Sequence, residues 1–120
     1  MKKLLLSIAL GTGVSAAWAN TPLWMRDARI SPDGKEIVFC YKGDIYKVNA
    51  NGGKAIQLTT QDSYESTPIW SPDGKQIAFA SDRRGSLDVF IMNSDGGEAK
   101  RLTTLSSSEI PSAFTPDGKY

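Results

Sequence analysis

The tightest constraint on this chain is a repeat. Ser31-Pro32-Asp33-Gly34-Lys35, Ser71-Pro72-Asp73-Gly74-Lys75 and Thr115-Pro116-Asp117-Gly118-Lys119 set one pattern at spacings of 40 and 44 residues. Self-similarity at such a period marks a stacked or circular architecture, in which each unit buries its faces against its neighbours. The pattern itself has turn chemistry. Proline presets φ at the second position of a type I turn, the Asp side chain accepts from nearby backbone N–H groups, and glycine takes a positive φ without a Cβ clash. Period-two apolar residues follow, Ile37 and Phe39 in one copy and Ile77 and Phe79 in the next, so the turn closes a β-hairpin.

Each repeat then reads as four strands. In the first, an entering strand ends at Ile30, and strands follow at Lys35 to Cys40, Asp44 to Val48 and Lys54 to Thr59, with turns at Tyr41-Lys42-Gly43 and Asn51-Gly52-Gly53. The second repeats the order with Ile69-Trp70, Lys75 to Ala80, Leu87 to Met92 and Ala99 to Thr103. The connection Asp82-Arg83-Arg84-Gly85-Ser86 is four residues longer than its counterpart, which explains the change of period. Four antiparallel strands in such a unit make a propeller blade. Helical repeats need i, i+3, i+4 apolar spacing free of Gly and Pro, and leucine-rich repeats are shorter, with one strand each. The expected fold is therefore an all-β propeller of four-stranded antiparallel blades. Blade 1 covers about 23–60, blade 2 about 65–104, and the start of blade 3 about 109–120.

The segment 1–19 reads as an export signal that precedes the propeller segment 20–120. Lys2 and Lys3 form its positive end, Leu4 to Leu10 begin its apolar core, and Ala17-Trp18-Ala19 offers small residues for cleavage before Asn20. Gly11, Thr12, Gly13 and Ser15 interrupt the apolar run, which is short for a span of about 20 residues, so no membrane span is expected after cleavage. The expected location is the periplasm or the exterior. Without Lys2 and Lys3 the chain carries 12 basic against 13 acidic side chains, so no basic field draws nucleic acid. The single cysteine, Cys40, takes the strand position held by Ala80 in the next repeat, which predicts a small, buried, inert side chain.

The repeat signature resembles the propeller repeats of TolB and of the tricorn proteases. It consists of Ser-Pro-Asp-Gly-Lys before Ile-x-Phe, then Asp44-Ile45-Tyr46 or Asp88-Val89-Phe90, Gly-Gly, and Leu58-Thr59-Thr60 or Leu102-Thr103-Thr104. TolB-like proteins place an α/β domain before the propeller, whereas here Pro32 follows directly on the leader. Leu23-Trp24-Met25-Arg26 running into Ile30-Ser31-Pro32-Asp33-Gly34 is more similar to the start of a bacterial tricorn-type serine peptidase. That resemblance implies a propeller that admits or binds peptide or protein substrate for a downstream serine protease domain, which the residues given do not contain. The alternative it leaves is a non-catalytic, TolB-like binding or scaffold propeller. The chain reaches Tyr120 just after the third turn, where another strand is due. The expected partners therefore include the remaining blades and downstream domains of a longer chain, and the segment alone is expected to aggregate or stay partly unfolded.

Chemistry within these residues is sparse. No histidine is present, which excludes a Ser-His pair or a histidine-bearing zinc site within them and makes Ser106-Ser107-Ser108 a polar loop. Asp33, Asp73 and Asp117 lack calcium-loop spacing and are expected to cap their turns, while Asp44 and Asp88 are expected to bond turn backbone. No catalytic residue, cofactor or metal is expected here. The candidate substrate-binding residues are Glu65 and Glu109, each seven residues before a turn proline near the start of an innermost strand, and Arg83 and Arg84 on the longer hairpin.

Overall fold

The structure is a computed structural model and describes residues 25–104 and 107–119. The export signal lies outside them. The described residues form β1 (Met25–Ile30), β2 (Glu36–Tyr41), β3 (Asp44–Asn49), β4 (Ile56–Gln57), β5 (Glu65–Trp70), β6 (Gln76–Arg84), β7 (Ser86–Asn93) and β8 (Lys100–Arg101). They make two sheets, ordered β1-β2-β3-β4 and β5-β6-β7-β8, with every pairing antiparallel. This is the all-β propeller expected from the repeat: two blades, not closed into a ring, followed by a third turn. Among the described residues no helix is long and apolar enough to cross a membrane.

The repeated turn is built identically each time. The Gly34 N–H donates to the Ser31 carbonyl at 2.9 Å, the Ser31 hydroxyl to Asp33 Oδ1 at 2.7 Å, and the Lys35 N–H to the same oxygen at 3.0 Å. Ser71, Asp73 and Lys75 repeat the side-chain bonds at 2.7 and 2.9 Å, and Thr115, Asp117 and Lys119 at 2.6 and 3.0 Å. Asp33, Asp73 and Asp117 are thus turn caps, and these hydrogen bonds hold each carboxyl below its ordinary range, the hydroxyl contributing most. A Cβ built on Gly74 would lie 3.8 Å from Pro32 Cδ, and one on Gly118 3.7 Å from Pro72 Cδ, so each turn rests on the proline of the previous one.

Between the sheets sits the core. Val38, Cys40, Ile45 and Leu58 of blade 1 meet Ile77, Phe79, Phe90 and Met92 of blade 2. Stacked rings occupy equivalent places in both blades, Phe39 on Tyr46 at 5.7 Å and Phe79 on Phe90 at 5.9 Å. Cys40 is buried, and burial, reinforced by the Asp27 carboxylate, pushes its thiol up to about 12, which leaves it unreactive at neutral pH. A backbone bond also joins the blades: the Glu65 N–H donates to the Gly43 carbonyl at 2.7 Å, and Glu109 repeats this toward Leu87 at 2.7 Å.

Two sequence expectations need correction. The fourth strands are two residues each instead of five or six, because a side chain takes over the ladder. Leu58 still bonds the Ile45 carbonyl through its backbone N–H, but the Ile45 N–H then goes to the Thr59 hydroxyl at 2.9 Å, and Val89 bonds Thr103 in the same way at 2.9 Å. Asp44 and Asp88, expected on turn backbone, instead accept from those hydroxyls at 3.2 and 3.3 Å. Their second oxygens take Gln57 in blade 1 at 3.2 Å and Arg101 in blade 2 at 2.6 Å. The outer strand is thereby fastened to the third by side chains as well as by backbone.

Candidate functional site

The hairpin ends next to the innermost strands hold the sequence candidates. In blade 1 the connection is a two-residue turn, Lys42 and Gly43, with φ of 51° and 85°. Both positive values belong to the type I′ hairpin, whose twist matches that of its strands. In blade 2 the four additional residues are mostly strand: β6 runs on through Arg84, with a register shift after Ser81, and turns at Gly85. The hairpin is an arm that folds over the start of β5. Tyr64 N–H donates to Asp82 Oδ1 at 2.8 Å, and Asp82 N–H returns to the Tyr64 carbonyl at 3.3 Å.

Arg83 and Arg84, adjacent in sequence, part company here. Arg83 pairs with Glu65, donates from its Nε to the Ser81 hydroxyl oxygen at 2.9 Å, and lies over the rings of Phe90 at 4.6 Å and Phe79 at 5.5 Å. The Glu65 side chain is fully buried and also accepts from the Ser63 hydroxyl at 3.0 Å. An ion pair this deep holds mainly because each charge would otherwise be stranded. Arg84 is exposed and, together with Arg83, lines a cleft of about 420 Å³ between the blades, with Leu58, Phe90 and Met92 among its apolar residues and Glu98 as its acid. Glu109 is half-buried and accepts from Ser107 at 3.3 Å, the bond that Ser63 makes to Glu65 one repeat earlier.

Most of the other residues that gather carried little or no signal in the sequence. Arg26, Lys42, Tyr64 and Glu65 line a second cavity of about 300 Å³ beside Cys40. Lys47 is almost wholly buried: its Nζ donates to the Ser94 carbonyl at 2.7 Å and pairs with Asp95 at 3.3 Å and Glu36 at 3.4 Å, tying blade 1 to the last turn of blade 2. The one available signal was a lysine amid the apolar residues of a central strand. Among the described residues no cluster of His, Cys, Asp or Glu is arranged to hold a metal. Asp44 is held above its ordinary carboxylate range by burial, reinforced by the Glu65 charge.

Among the described residues these side chains line one cleft between the blades and another beside Cys40, and the family of the fold follows from comparison with known proteins. Residues 22–120 match the tricorn protease N-terminal β-propeller domain. The chain belongs to this family. It is similar to the uncharacterized peptidase YuxL of Bacillus subtilis, at 38% identity over 55% of this chain and 11% of that protein. It is also similar to dipeptidyl-peptidase 5 of Porphyromonas gingivalis, at 34% identity over 50% of this chain and 10% of that protein. Among solved structures, a putative TolB from Agrobacterium tumefaciens aligns with a TM-score of 0.69 and 25% identity, over 82% of this chain and 37% of that one.

This tricorn-type propeller segment thus spans about a tenth of the length of the two peptidase relatives. Its blades bring Glu65 together with Arg83, leave Arg84 exposed at the inter-blade cleft, and keep Glu109 half-buried beyond the second blade, bonded to Ser107.

Proposed function

We propose that this tricorn-type propeller admits or binds peptide for a serine protease domain downstream in the same protein, which is exported to the periplasm or beyond. The observation that carries the reading is the propeller match across residues 22–120, joined to peptidase relatives that are far longer than this segment. Arg84 is the recognising group: an exposed guanidinium on a pinned arm, beside a cleft whose lining is largely polar, with Thr59, Thr60 and Gln61 across from it, suits a peptide carboxylate held bidentately. Arg83 cannot share that role while it neutralises Glu65. Glu65 acts through Arg83, and Glu109 is placed to do the same for a following blade.

The test is kinetic, in the complete protein. Arg84→Ala raises KM about ten- to a hundredfold for peptides with a free C-terminal carboxylate and leaves amidated peptides unchanged, as expected when about 1.5–3 kcal/mol of charge-assisted bonding is lost from one group only. Equal effects on both peptide types, or none, sink the assignment of Arg84. A complete protein without any peptidase activity returns the reading to a non-catalytic, TolB-like binding propeller.

A further inference from the structure

The innermost strands carry the same irregularity at one repeat position. In blade 1, Met25 and Arg26 pair with Tyr41 and Cys40, but Arg29 and Ile30 pair with Val38 and Ile37, one residue out of step. In blade 2, Glu65 and Ser66 pair with Ser81 and Ala80, whereas Ile69 and Trp70 pair with Ala78 and Ile77. Each extra residue is marked by a left-handed backbone: Asp27 at φ 55° and Thr67 at φ 51°. Such values are uncommon for Asp and costly for β-branched Thr, which persists there only when its surroundings impose it. The third repeat has Pro111 at the same place, a residue with no N–H to give to any ladder. The Thr67 N–H is further occupied, donating across the blades to Asp27 Oδ2 at 3.2 Å.

These strands are the open edges of their sheets, since β1 and β5 have a partner on one side only. In a propeller that edge faces the central channel. An open edge templates a further strand, and an extended peptide is the ligand best able to add one. A bulge bends the edge and spoils its run of donors and acceptors. We infer that the channel-facing edge is interrupted at positions 27, 67 and 111 so that a peptide in the channel cannot add to a blade as a strand, and is handled through its side chains and termini alone. The inference rests on the proposal that peptides enter this propeller. It goes further by excluding one mode of recognition and by assigning the irregularity a role, which is to let peptides pass without being captured.

The test uses hydrogen exchange on the complete protein with a Thr-Val repeat peptide of about ten residues as probe. In the wild type, the amides of residues 26–29 and of Ser66, Thr67 and Ile69 gain no protection at saturating probe. Deleting Thr67 together with Pro68→Val, which restores an unbroken register and the N–H that Pro68 lacks, makes the amides of Ser66 and Ile69 gain about tenfold protection and tightens probe binding to match, while Thr67→Gly, which keeps the bulge without strain, stays unprotected. Deleting Asp27 gives the same result in blade 1, so misfolding of one deletion leaves the other to decide. Protection in the wild type, or none in either folded deletion, overturns the inference. Peptide hydrolysis is scored separately, so a protein that cleaves nothing disproves the proposed function without altering the exchange result.

Discussion

Blades 1 and 2 share one plan and differ in what crosses between or along their strands. Blade 1 closes its central hairpin in two residues and places Lys47 where blade 2 has Ile91; blade 2 lengthens the same hairpin and pins it with a buried Glu65–Arg83 pair. Gln57 fastens blade 1's outer strand to Asp44, whereas Arg101 fastens blade 2's to Asp88. The shared features are hydrogen-bonded turns and apolar alternation, which any blade needs. The differences are polar and charged side chains, most held wholly or partly out of water, with partners supplied by another segment. They are the points where a blade carries something besides its own fold.

The largest effect should come from the feature blade 1 lacks. Arg83→Ala leaves the Glu65 carboxylate buried and unpaired, so unfolding of the complete protein by denaturant should show a loss of about 3–5 kcal/mol. Glu65→Gln together with Arg83→Met should recover much of that loss. If the single variant costs under about 1 kcal/mol, the pair does not hold the arm.

Exchanging residues between blades sharpens the comparison at the next level down. Both Lys47→Ile and Lys47→Ala strip the Ser94 carbonyl of its donor, but Ile, the residue of blade 2, refills the space and should cost less than about 1.5 kcal/mol, whereas Ala leaves a gap as well and should cost about 2–3 kcal/mol. Thermal melts of the two variants check the order; Ile worse than Ala shows that filling the space is not what decides the cost at this position. Arg101→Gln, which copies blade 1's fastening, should lose about 1 kcal/mol by the same measurement, since a charged donor to Asp88 becomes a neutral one.

The smallest effects are those of pH, and they have opposite signs. Asp73 has a lowered carboxyl in the folded state, so its contribution is present above the ordinary 3.8 and is lost as pH falls through its folded value. Asp44 has a raised carboxyl, so stability declines as pH rises from 3.8 through its folded value. Melting temperature followed between about pH 2 and pH 6 should lose part of its acid decline in Asp73→Asn and steepen its net rise with pH in Asp44→Asn. A change of the same sign in both variants contradicts the assignment.

The blades themselves were legible before any coordinates. Ser-Pro-Asp-Gly-Lys needs only its own backbone to make a turn, and Ile77 and Phe79 need only a period of two to share a face, so spacing was enough to read both. Local chemistry also explains why three copies close alike. The partners came from packing alone: Arg83 with Glu65 at a distance of 18 residues, Lys47 with Asp95 at 48, and Thr67 with Asp27 at 40. A charged side chain does not carry in its sequence neighbourhood whether it will meet water or an opposite charge. That depends on which segment the next blade lays across it. The left-handed residues Asp27 and Thr67 were hidden for the same reason, because neither residue type demands such a backbone and only the packing of successive blades imposes it.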